Sequence, residues 1–153
     1  MSLPYENATS GDRAVKDMQK LLQEFGCGSF GQMMNFETGE LLVQFTYRGQ
    51  PVSVKASANG YAATWLKKHP HTPRMRVSKA DYEKKAKQIG GTAVYSILRD
   101  WIKGQITAVE TVILTFVGAF LGQLLLGNGK TVLEQVSGSG RLKIADSATE
   151  RKS

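Results

Sequence analysis

The feature that most restricts the fold is a change of hydrophobic period, made twice along the chain. Leu41, Val43, Phe45 and Tyr47 alternate with Leu42, Gln44 and Thr46, and Val52, Val54 and Ala56 alternate with Ser53 and Lys55. Alternation at period two marks a strand with one buried face. Arg48-Gly49 separates these runs as a tight-turn pair. Glu37-Thr38-Gly39-Glu40 is a second turn, preceded by a short strand-like stretch from Phe30 to Asn35. Together they predict an antiparallel three-stranded meander.

On both sides the spacing is helical. Ala14, Val15, Met18, Leu21, Leu22 and Phe25 fall on one face of a helix that Thr9 or Ser10 caps and Gly26 stops. After the meander, Ser57 or Asn59 opens a short helix carrying Tyr61, Ala62, Trp65 and Leu66, and Pro70 and Pro73 end it. Ser78, with Asp81 three residues on, opens a long helix. Its stripe is Tyr82, Ala86, Ile89, Ala93, Ile97 and Trp101, widened by Val94, Leu98 and Ile102. Gly90-Gly91 predicts a kink or a split in that helix.

Residues 106–126 are apolar apart from Glu110 and a few small polar residues. Gly118 and Gly122 match a membrane-helix packing pattern. A spanning helix needs about 20 apolar residues, which this run reaches only by taking in Glu110 or Gly127-Asn128, so a core segment is expected instead. Asn128-Gly129 predicts a hairpin turn with arms at residues 124–126 and 131–136. The expected fold is α+β: N-terminal helix, antiparallel three-stranded meander, short helix, long helix and closing β-hairpin. It forms one domain over residues 1–136, followed by a flexible polar tail at 137–153.

Composition matters chiefly through charge. The 153 residues carry a net charge of +7. Between residues 67 and 87 stand eight cations, Lys67, Lys68, Arg74, Arg76, Lys79, Lys84, Lys85 and Lys87, against two acids, Asp81 and Glu83. Charge gathered this way makes a local positive field that attracts phosphates, or else a solvated helix face and basic loop. Tyr61, Trp65 and Tyr82 lie close enough in sequence to stack on bases, although Trp65 also fits a buried face.

Other candidates are weaker. Cys27 is the one cysteine, so no internal disulfide framework exists, and a lone thiol suits a reducing cytosol. The first ten residues lack the basic start and apolar run of a signal peptide. His69-x-His71 has metal-ligand spacing, but its neighbours are cationic and no cysteine is near. Gly129-Lys130-Thr131 mimics the end of a phosphate-binding loop, yet the glycine required five residues earlier is Leu124, and the following segment reads as strand. Glu110 needs a partner if it is buried. Catalytic residues, metal ligands and cofactors are therefore not expected.

The order helix, three strands, helix resembles the double-stranded RNA-binding domain, and Lys84-Lys85-Ala86-Lys87 resembles that family's lysine cluster. An extra helix and a Pro-bearing loop precede those lysines here, which makes this a likeness of composition rather than kinship. A second resemblance is carried by residues 95–110, Tyr95-Ser-Ile-Leu-Arg-Asp-Trp-Ile-Lys-Gly-Gln-Ile-Thr-Ala-Val-Glu110. The patch Gly60-Tyr61-Ala62-Ala63-Thr64-Trp65-Leu66 and the opening Leu3 to Gly11 belong with it. These stretches resemble a group of small uncharacterised proteins of tailed bacteriophages and prophages. That resemblance implies a phage-encoded protein made in the bacterial cytoplasm.

Three functions fit these observations. The first is a non-enzymatic nucleic-acid-binding accessory that works through the eight cations. The second is a phage protein that binds and inhibits a host defence or transcription factor, or sequesters a ligand, with homo-oligomers allowed. The third is a small membrane-associated protein using residues 106–126.

Overall fold

The computed structural model describes residues 2–139. Ser10 caps helix α1 (Gly11–Phe25), its side chain accepting from the Arg13 N–H, and Gly26 closes it at φ 106°, a left-handed cap that favours glycine. Strands β1 (Ser29–Asn35), β2 (Glu40–Tyr47) and β3 (Gln50–Ser57) come next as an antiparallel sheet in the order β1-β2-β3. Phe30, Phe45 and Val52 stand in register across it, as do Met34, Leu41 and Ala56. Arg48 and Gly49 both have positive φ, as a tight two-residue hairpin turn requires.

Helix α2 (Ala58–Lys68) is capped by Ser57, and α3 (Lys79–Glu110) by Ser78. The inner face of the meander, Leu41, Val43 and Phe45, is fully buried against Met18 and Leu22 of α1 and Val94, Leu98 and Ile102 of α3. The α+β order expected from sequence therefore holds from α1 through α3.

Two expectations fail. Helix α3 runs 32 residues without the split expected, as the alternative to a kink, at Gly90-Gly91. Both glycines are buried, and a Cβ on Gly90 would stand 2.5 Å from the Ala58 carbonyl oxygen and 3.2 Å from the Ala62 nitrogen. The missing side chain lets α2 lie directly on α3, and it breaks neither helix.

The closing hairpin is the second. A turn does form at residues 126–130, where the Leu126 N–H donates to the Lys130 carbonyl at 2.8 Å, and Leu125 bridges Thr131. Beyond Thr131 the expected second arm is instead helix α5 (Val132–Ser139). Thr131-Val-Leu-Glu134 is a capping box. The Glu134 N–H donates to Thr131 Oγ1 at 3.2 Å, and Glu134 Oε1 accepts from the Thr131 N–H at 3.0 Å. Leu124 bridges Val52 of β3. Of the tail expected from residue 137, residues 137–139 end α5 and 140–153 lie outside the described residues.

The apolar run is broken into pieces. After α3 come a turn at 111–114, helix α4 (Phe116–Phe120) and a 3-10 turn at Leu121–Gln123. Among the described residues no helix is long and apolar enough to cross a membrane. Phe120 is fully buried, edge-on to Phe45 at 5.5 Å and to Trp101 at 5.7 Å.

Candidate nucleic-acid interface

Helices α2 and α3 form an antiparallel hairpin whose connection, residues 69–78, makes its closed end; Arg74 and Arg76 stand in that connection and the other six cations on the flanking turns of α2 and α3. That end is pinned from below. Trp65 packs its ring at 4.7 Å from His69 and 5.4 Å from Tyr82, and the Tyr82 hydroxyl donates to the His69 carbonyl at 2.6 Å. His69 Nε2 lies 3.3 Å from the Glu6 carboxylate, and His71 Nε2 lies 2.8 Å from the Val77 carbonyl oxygen. Both histidines thus hold the loop in shape. Among the described residues no three His, Cys, Asp or Glu side chains gather as metal ligands would.

All eight sequence-predicted cations are exposed. Lys67 and Lys68 end α2, Arg74 and Arg76 lie in the loop, and Lys79 opens α3. Lys84, Lys85 and Lys87 stand within its next two turns, so Lys79 to Lys87 cover about 12 Å of the helix. None of the eight makes an ion pair among the described residues. The pairs present are Lys55 with Glu134, Arg99 with Asp17 and Asp100, and the His69–Glu6 contact. Asp81, one of the two local acids, sits in the first turn of α3, where its N–H donates to Ser78 Oγ at 3.1 Å.

The expected aromatics do not serve. Trp65 and Tyr82 are each 6% exposed, so their faces are closed to a base. The half-buried Tyr61 donates its hydroxyl to the Pro4 carbonyl at 2.6 Å. Phe36, which sequence reasoning passed over, is 90% exposed. It stands in the β1–β2 turn, outside any apolar period. An aromatic with no place in a buried stripe was the available signal.

Phe36, Lys84 and Lys87 line one cleft of about 580 Å³ between α1, α3 and the β1–β2 turn, and the other six cations lie outside it. The turn is fixed. Asn35 Oδ1 accepts from the Glu37 N–H at 2.9 Å and the Thr38 N–H at 3.1 Å, while Asn59 of α2 donates to the Thr38 carbonyl at 2.9 Å. A second hollow, about 440 Å³ between α1 and α3, carries no net charge, since Asp17, Glu24 and Asp100 balance Lys20, Arg99 and Lys103, and Arg99 pairs with Asp17 at 3.4 Å and with Asp100 at 3.0 Å.

The remaining candidates lose their chemistry. Burial pushes the Cys27 thiol up to about 11, so the nucleophilic thiolate is scarce at neutral pH. Glu110 is the exposed last residue of α3 and needs no buried partner. A helix does come after Gly129-Lys130-Thr131, so the case against a phosphate-binding loop rests on Leu124 alone. The chain matches no protein-family model, no curated protein and no solved structure.

Proposed function

We propose that the protein is a non-enzymatic, phage-encoded accessory that binds nucleic acid through the basic residues of the α2–α3 hairpin. The observation that carries this reading is the set of eight exposed cations without an ion pair among the described residues. Part of that charge has a structural use, since Lys67 and Lys68 complement the negative end of α2. Two lysines of α3 have such a use as well, since Asp81 and Glu83 stand four residues before Lys85 and Lys87, the stabilising order. Lys79 sits at the positive end of α3, where a cation is unfavourable, and Arg74 and Arg76 lie in the loop. A polyanionic partner would use this exposed charge, gaining affinity by releasing counterions.

The test is binding to labelled oligonucleotides by the wild type and by a Lys84→Glu, Lys85→Glu, Lys87→Glu variant. All three side chains are exposed, so the fold is kept. Lost or strongly weakened binding supports the reading, and unchanged binding removes it.

A second surface favours the alternative of a protein partner. Val112, Ile113, Leu114, Val117 and Leu121 are 88%, 73%, 42%, 52% and 51% exposed around the α3–α4 turn. Val112 is held there at φ 63°, a costly conformation for a β-branched residue. Nuclease-resistant, stoichiometric capture of one host protein, abolished by Ile113→Glu, would favour this alternative over nucleic acid.

A further inference from the structure

We infer that the cleft beside Phe36 receives an unpaired base of a single-stranded nucleic acid, with the flanking phosphates on Lys84 and Lys87. The inference rests on the nucleic-acid reading above and narrows it from any polyanion to a single strand.

Three features point the same way. First, the ring of Phe36 is 90% exposed and belongs to no aromatic pair among the described residues. An aromatic face left open beside cations is the platform on which bases stack, and any of the four bases can use it. Second, the backbone that carries the ring is fixed, because the β1–β2 turn is tied to itself through Asn35 and to α2 through Asn59. An anchored turn loses little backbone freedom on binding. Third, the cleft combines the volume of a small-ligand pocket with two cations and one carboxylate, Asp12. The Gln88 and Thr92 side chains also line it and make no hydrogen bonds among the described residues, which leaves an amide and a hydroxyl for a base edge.

A duplex does not fit this arrangement. Its bases are stacked and paired, so no π face can meet Phe36 unless a base leaves the helix, at an unstacking cost. A single strand presents its bases freely and tracks a positive groove with its backbone.

The experiment is fluorescence anisotropy with a labelled 15-nucleotide oligothymidine and a blunt duplex of equal length, at one low salt concentration. The proteins are wild type, Phe36→Ala, Phe36→Trp and Arg74→Glu/Arg76→Glu. Phe36→Ala is expected to weaken single-strand binding roughly 5- to 150-fold, the range for loss of one stacked base, and to leave duplex binding unchanged. Phe36→Trp is expected to retain single-strand binding. The Arg74/Arg76 variant, changed in the exposed loop outside the cleft, should weaken both ligands together. Equal loss on both ligands, or no loss in Phe36→Ala, overturns the inference while the basic-surface reading stands. Absence of wild-type binding to either ligand overturns both. Displacement of the strand by polyglutamate at equal charge concentration would assign the cleft to an acidic polypeptide and overturn the inference.

Discussion

Replacing Gly90 by alanine tests the packing that fixes the basic hairpin in place. In a solvent-facing helix interior, glycine to alanine stabilises by about 0.8–1 kcal/mol. At Gly90 the added Cβ meets the Ala58 carbonyl oxygen at 2.5 Å and the Ala62 nitrogen and Cβ at 3.2 and 3.3 Å. The nearest of these atoms belong to the α2 backbone, so no rotamer change relieves the contact. Overpacking of this kind costs about 1–3 kcal/mol, and with the backbone as obstacle the upper part of that range applies. The net expectation is a loss of about 2 kcal/mol, after the propensity gain is offset. At this chain length that lowers Tm by about 6–8 °C. Gly104→Ala on the same helix is the control, because nothing lies within 4 Å of its Cβ position. It should raise Tm by about 3 °C. The assay is urea and thermal unfolding monitored by circular dichroism. A Gly90→Ala protein as stable as wild type, or more so, would refute the reasoning and with it the direct contact of α2 on α3.

Three single sites carry further expectations. Glu134 is held at about 2, chiefly by the Thr131 N–H, then by Lys55 and the Thr131 hydroxyl. Its folded value lies below its unfolded one, so the support it gives α5 is complete above an ordinary glutamate pKa and is lost as pH falls toward about 2. Carboxyl chemical shifts across a pH titration would show this, and a midpoint in the usual glutamate range would contradict it. Cys27, pushed up to about 11 by burial, should alkylate at pH 8 roughly a hundredfold more slowly than an ordinary thiol, a rate measured by iodoacetamide labelling. Phe120→Ala should cost about 3–5 kcal/mol in urea unfolding, because it empties the contact between Phe45 and Trp101.

Much of this fold was legible where one period ruled a segment. The α1 stripe, the Leu41–Phe45 alternation and the Tyr82–Trp101 stripe each bury one face, and burial is what periodicity reports. Gly90-Gly91 misled because glycine's low helix propensity argues for a break, whereas its lack of a side chain allows close packing. Which effect wins depends on α2, more than twenty residues away in sequence. Asn128-Gly129 misled differently. It does make a turn, but the Thr131/Glu134 capping box turns the next segment into a helix, and that signal stood in the sequence. The eight cations were readable as charge. That Lys84 and Lys87 share a cleft with Phe36, while Lys85 does not, depends on how α3 meets the β1–β2 turn.

The central claim is that the exposed cations of residues 67–87 engage phosphates. The most direct measurement is the affinity of the wild type for a labelled oligonucleotide duplex across a salt series. Engagement of six to eight phosphates predicts a linear fall of log affinity with log salt at a slope of about −5 to −7, made shallower by about 0.9 for each contact removed. Affinity that stays flat as salt rises, or no binding of either a duplex or a single strand at low salt, would contradict the claim.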